Sequence, residues 1–263
     1  MRTARCLAPA VVVAAFVAIA TACATPNLDT EPASKPAKHA EEDPEPTTAK
    51  RDPAVLDPVA PDASVADTSV APRLCGEPDL LLCFSFEGEV KDGSPNAFAP
   101  TATQGVTFGP GKVGQAAQLS ATSFIRFASA PLLTEPATTV EAWVNAAQRT
   151  DGVIFDADNR YAMATLADGS LRCIAQGADV RGGVVGLATW THVACVYDGT
   201  EVRAYVNGVL INTGRGSTGH ATAGAAIGGN APNGEPFVGA IDSLRVFKVA
   251  RTAAQIAAAG ARN

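Results

Sequence analysis

Residues 190–213 read WTHVACVYDGTEVRAYVNGVLINT. Residues 190–197 alternate, with Trp190, His192, Ala194 and Val196 on one face and Thr191, Val193, Cys195 and Tyr197 on the other. A period of two is the mark of a strand whose two faces meet different surroundings. Asp198-Gly199 is a turn signal, residues 201–206 alternate again, and Asn207-Gly208 is the pair that accepts positive φ in a two-residue type I′ hairpin. Asn tolerates the left-handed region, and Gly enters it without a Cβ clash. The stretch therefore predicts a three-stranded antiparallel ribbon.

More ribbon flanks it. Short apolar or alternating runs stand at 80–87, 106–108, 115–119, 123–127, 138–145, 153–155, 161–166 and 171–176, and after the ribbon at 223–228 and 237–247. In 123–127, Phe124 and Arg126 alternate against Ile125 and Phe127. Turn clusters separate the runs, among them 88–96 and Asp168-Gly169. Only 252–259 reads as helix, with Thr252 as its N-cap. Many short strands at spacings near ten residues predict an all-β, two-sheet antiparallel sandwich over residues 73–263.

Residues 24–72 differ in kind. They hold nine of the eighteen prolines, no aromatic residue, and ten acidic against four basic side chains. Such a composition buries too little apolar area to offset chain entropy, so 23–72 is expected to be a disordered, extended tether. Residues 1–22 read as a secretory signal: Arg2 and Arg5, an apolar run from Leu7 to Ile19, then Ala20-Thr21-Ala22 before Cys23. That ending resembles the lipobox of bacterial lipoproteins, with Ala20 where the pattern prefers Leu. The resemblance implies export, lipidation of Cys23 and anchoring to a membrane, the outer one in a Gram-negative cell because Ala24 rather than Asp follows. Nothing basic is concentrated enough to suggest a nucleic-acid partner.

Cys75, Cys83, Cys173 and Cys195 remain for the folded head. An even number in an exported chain favours disulfides, and three connectivities are possible. Cys75–Cys83 would tie the start of the head to its first strand. Cys173–Cys195 would join two strands expected to be antiparallel neighbours.

The head resembles the LamG-like jelly-roll domains of the concanavalin A-like lectin/glucanase superfamily. The resemblance rests on FSFEG (84–88) with DGS (92–94), GQA (114–116), TVEAWV (139–144), WTHVA (190–194) with YVNG (205–208), and IGG (227–229) with FVGAIDSLRVF (237–247). It implies a jelly-roll fold and one structural calcium ion held by Asp92, Asn96 and Asp242. An Asx-turn at Asp92 and a backbone-bonded Asp242 are an equally open reading of the same residues. The fold does not carry a function by itself.

A sugar site needs planar polar groups and aromatics near loops. Asn159, Arg160 and Tyr161, with Asn230 and Asn233, are the candidates, and the partner they suit is a carbohydrate. A cell-surface protein bound without a sugar site is the alternative. Catalysis is not expected. The Glu-x-Asp-x-x-Glu run of the superfamily's glucanases is missing, as is Gly-x-Ser-x-Gly. Asp156 and Asp158 read as part of a turn, and Trp143, Trp190 and His192 read as packed inside the sandwich.

Overall fold

The computed structural model describes residues 74–128, 137–158, 160–216, 224–230 and 234–262. The signal, the linker, Cys23, Asn159 and Asn233 lie outside them. The described chain runs β1 (Leu80–Phe84), β2 (Ala102–Gln104), β3 (Thr107–Pro110), β4 (Gln115–Leu119) and β5 (Phe124–Phe127). Next come β6 (Thr138–Ala146), β7 (Gly152–Ala157), β8 (Tyr161–Thr165), β9 (Leu171–Ala175) and β10 (Ala178–Gly182). Then follow β11 (Thr191–Tyr197), β12 (Glu201–Val206), β13 (Val209–Arg215), β14 (Ala225–Ile227), β15 (Gly239–Phe247) and the helix α1 (Ala253–Gly260).

These strands form two antiparallel sheets of a jelly-roll sandwich. Sheet A runs β13-β12-β11-β6-β15-β4-β3, with β1 paired to the second half of β15. Sheet B runs β10-β9-β8-β7-β14-β5-β2. Alternation fills the space between them. Val140, Ala142 and Val144 of β6, Val193, Cys195 and Tyr197 of β11, and Ile125, Phe155 and Ile227 of sheet B are all buried in one core.

The Asn207-Gly208 turn forms as its chemistry requires, with φ of 49° and 77°. Asn207 Oδ1 accepts the N–H of His192 at 3.0 Å, so the hairpin tip also grips the start of β11. A Cβ on Gly208 would lie 2.9 Å from Cα of Ala257, so this glycine is required both for its φ and for the approach of α1. Thr252 and Gln255 close a capping box on α1. The helix buries Ile256 against Ala194, Val196 and Tyr205 on the outer face of sheet A, a contact worth about 2 kcal/mol.

That outer face also carries a buried charge cluster. Glu141 of β6 is 1 % exposed and pairs with Arg245 of β15 and with Arg251 Nη1 at 3.4 Å. Glu77 joins Arg245, Arg251 (2.9 Å) and Arg262 (2.7 Å) to it. His192 stands opposite Trp143 in the β11–β6 register, and its Nε2 is 3.9 Å from Glu141 Oε2.

Several expectations are corrected here. His192 and Trp143 are buried, at 2 % and 8 % exposure, but in this outer layer rather than between the sheets. Their strands alternate, and Thr191/Val193 and Ala142/Val144 take the inner face. Trp190 precedes β11 and is half-buried. Asp156 lies in β7 rather than in a turn, because the strand stays paired with β8 and β14 through Ala157. Strands β2 and β10 were not expected. The first is exposed along its length, and the second buries only Val180, with Ala178 packed partly against the core.

Both disulfides form as paired from the sequence, Cys75–Cys83 and Cys173–Cys195, with Cα separations of 5.5 and 5.6 Å. The expected geometry of the second is corrected: β9 belongs to sheet B and β11 to sheet A, so Cys173–Cys195 crosses the core and joins the sheets. Its residues are 22 apart in sequence. Replacing both cysteines with alanine should lower stability by about 3 kcal/mol, read from urea unfolding of the oxidised protein and the double variant.

Burial and the surrounding arginines, Arg245 foremost, push the His192 imidazole down to about 3. Between about pH 6.5 and 3 the unfolded chain therefore binds a proton here that the folded chain refuses. Stability from this group is fully present above the unfolded value and is lost as pH falls through that window. The melting temperature should drop on acidification from pH 7 to 4, and His192→Gln should give a shallower slope.

Candidate functional site

Cross-strand pairing lays one row of side chains across the outer face of sheet B. From β2 to β10 it reads Ala102, Arg126, Ala226, Asp156, Ala162, Ile174 and Asp179. Alanines at 226 and 162 make the floor low, and Arg126 and Asp156 stand as opposite charges on either side of Ala226. The row is legible in the alternation of β5, where Ile125 and Phe127 take the core and Phe124 and Arg126 must face away.

Two depressions sit on this face. The larger, about 660 Å³, is walled by Asp156, Asp158, Arg160 and Gln176, with Asn230 and Glu235 on the far side. The smaller, about 240 Å³, is walled by Phe124, Arg126 and Thr122, and again by Asn230. Asn230 and Gly234 exchange backbone hydrogen bonds at 2.7 and 3.2 Å, and Asn230 Nδ2 donates to Glu235 Oε2 at 2.9 Å. Asn230 thus lines both hollows and stands where they meet. Phe124 is half-buried under the Arg126 guanidinium, 4.3 Å from its ring centroid.

Of the residues expected at a sugar site, Arg160 and Asn230 are brought together around one depression. Tyr161 also lines it, but its ring turns inward at 2 % exposure, stacked near Phe155 and 5.0 Å from Tyr197. It pairs with Ala157, whose side chain faces the core, so the stacking role expected of it is corrected to a core role. Burial pushes its phenol well up, which keeps it neutral. Phe124 and Arg126 supply the planar surface instead; nothing singled them out from the sequence except their place opposite a core-facing pair.

Each residue assigned to calcium is engaged in hydrogen bonds. Asp92 Oδ1 accepts from the N–H groups of Cys83 (2.8 Å) and Ser94 (2.9 Å), and Oδ2 from Ser94 Oγ (2.8 Å) and the Phe98 N–H (2.9 Å). Those four bonds occupy the roughly four lone-pair positions of a carboxylate. Asn96 Nδ2 donates to the carbonyls of Leu80 and Leu81, both at 3.1 Å. Asp242 lies on sheet A and accepts from the Val113 N–H at 3.0 Å and from Ser243 Oγ at 2.9 Å. Burial raises its carboxyl and the Val113 N–H opposes that rise. Calcium asks six to eight oxygens to converge on one point. Asp92, with those positions taken, does not fit that demand and anchors its loop as the alternative reading has it.

The groups on the sheet B face are ones that can exchange hydrogen bonds with hydroxyls. Carboxylates accept from sugar hydroxyls, an arginine donates to them, amides do both, and a ring under a guanidinium offers a flat surface.

The solved structures place this geometry among known ones. Domain 4 of AbnA, a GH43 extracellular arabinanase from Geobacillus stearothermophilus, solved in complex with arabinotriose, is 26% identical, with a TM-score of 0.58 over 68% of this chain and 97% of that domain. The binding domain of Paraclostridial Mosquitocidal Protein 1 is 15% identical, with a TM-score of 0.56 over 72% of this chain and 52% of that one. The binding domain of botulinum neurotoxin DC, solved in complex with rat synaptotagmin II, is 10% identical, with a TM-score of 0.55 over 69% and 51%. The chain thus spans about half the length of the two toxin domains, and at those identities the likeness is one of fold. No curated protein matches in sequence. The family model Laminin_G_3, of the concanavalin A-like lectin/glucanases superfamily, matches residues 119–257. That match covers just over half of the chain, from the end of β4 into α1, and the chain belongs to this family.

Proposed function

We propose that the chain is a non-catalytic carbohydrate-binding module that holds a short oligosaccharide across the outer face of sheet B. The observation that carries this reading is the pair of depressions meeting at Asn230, one rich in hydrogen-bonding groups and the other backed by the Phe124–Arg126 stack. A single ring in either hollow would leave the other empty, whereas a chain of sugars laid over Asn230 uses both. The likeness to an arabinanase domain solved with arabinotriose supports the ligand class and makes pentose oligosaccharides the first probe. Lipid on Cys23 would anchor the chain to a membrane, with 23–72 as its tether.

A second reading, glycoside hydrolysis, draws on the carboxylates Asp156, Asp158 and Glu235 lining one hollow. It predicts release of reducing ends from a bound oligosaccharide. The binding reading predicts none.

The test is a panel of immobilised glycans, followed by titration calorimetry with arabinotriose and larger arabinans. Saturable binding is expected. Arg126→Ala, Phe124→Ala and Asn230→Ala should each weaken it about tenfold, the equivalent of roughly 1.4 kcal/mol, with melting still cooperative. Chelator should change neither affinity nor melting temperature, because the oxygens of Asp92 are already taken. A folded protein that binds no glycan would move the assignment to a protein-interaction module.

A further inference from the structure

The two hollows of the sheet B face differ in charge. Three carboxylates, those of Asp156, Asp158 and Glu235, line the larger one against the single guanidinium of Arg160. The smaller is lined by Arg126 and, among the described residues, by no acidic side chain. A face built for neutral hydroxyls alone has no use for opposite signs on the two sides of Asn230.

Three observations define the surroundings of Arg126. First, its cross-strand neighbours are both alanines, Ala102 on β2 and Ala226 on β14. Neither side chain offers an acceptor, and among the described residues Arg126 forms no ion pair. Second, its half-buried guanidinium lies over the Phe124 ring, 4.3 Å from the centroid. Attraction to the face of a ring holds the group in place and consumes none of its five N–H donors. Third, the space beside it is bare. Ala226, Gly228, Gly229 and Gly234 line the hollow with nothing larger than a methyl group, and a Cβ on Gly234 would meet no atom within 4 Å. Gln104, the other long polar side chain there, has its Nε2 committed to the Thr122 carbonyl at 3.0 Å. An arginine held in place beside an open hollow, with its donors unspent, suits an anionic group of the ligand.

We propose that the smaller hollow takes a sugar carboxylate, so that the ligand of this face is an oligosaccharide with a uronate at one end and neutral sugars over the larger hollow. The proposal rests on the sheet B reading and gives the bound chain a direction. A carboxylate meets the guanidinium fork with two parallel, charge-assisted hydrogen bonds, a pairing that a hydroxyl cannot make. The carboxylates of the larger hollow accept from neutral hydroxyls and repel a second uronate.

The test titrates the full chain by calorimetry, at neutral pH, with arabinotriose, with a xylobiose carrying one terminal glucuronate, and with the methyl ester of that same trisaccharide. Acid and ester share every ring and differ at the carboxyl group. The acid is expected to bind about tenfold more tightly than its ester. That ratio should shrink as NaCl rises, because a half-buried pair is open to screening. Arg126→Gln should bring it to about one, and Arg126→Lys, which keeps the charge without the fork, should leave an intermediate ratio. The salt series on the unaltered chain gives an independent reading should Arg126→Gln fold poorly. Equal affinity for acid and ester overturns the proposal. So does a ratio that survives Arg126→Gln, or one that salt leaves untouched. Binding of arabinotriose without preference for the acid would leave the sheet B reading standing and this proposal fallen, whereas a folded protein that binds no glycan removes both.

Discussion

A carboxylate buried in the middle of a sheet sets the terms for everything outside sheet A. Glu141 lies on the central strand β6, flanked by β11 and β15, on the face turned away from the core. Taking that charge out of water is tolerable only with partners of opposite sign held in good geometry. Arg245 comes from the adjacent strand, and Arg251 from the segment between β15 and α1. Arg251 is fixed in turn by its backbone N–H to Thr139 Oγ1 at 2.9 Å and by the Phe247 ring beneath its guanidinium. Glu77, from the first described segment, completes the cluster. One acid on one strand thus recruits both ends of the described chain to a face that a simple sandwich would leave wet. The helix and the charge cluster are parts of this extra layer.

Much of the fold was legible because alternation states which side chains share a face, and a buried core enforces that statement. The ribbon at 190–213 formed β11, β12 and β13 around the predicted turn, and Thr252 capped the helix. Legibility failed where a strand lacks a buried face. Ala102–Gln104 is exposed throughout and pairs only through its backbone, and Ala178–Gly182 buries only one valine. It failed again where a third layer exists. Periodicity places His192 opposite Val193, but it does not say which face meets the second sheet and which meets a helix and an ion cluster. The Cys173–Cys195 pair shows the same gap: the partners follow from the sequence, whereas the crossing between sheets depends on strand order, which no local pattern encodes.

The face proposed to hold a ligand divides along similar lines. Asn230 and Arg160 were legible as polar residues in turn-rich sequence, and the fold brings them to one hollow although seventy positions separate them. Tyr161 was misplaced by one step of parity: the strand begins on it, and the first residue of β8 happens to point inward. Phe124 and Arg126 carry no motif. Their significance comes from Ala226 and Ala162, whose small side chains leave the floor beside them open.

The bond between Cys75 and Cys83 has a mechanical side. Tension transmitted from the residues before Leu74 would reach Cys83 through this covalent bridge, and so would enter β1 near its end rather than at its first residue. Because β1 is paired antiparallel with β15, that load would pass into the backbone bonds between these two strands. A pull on the residues before Leu74 would in this way act first on the β1–β15 pair of sheet A and not on sheet B.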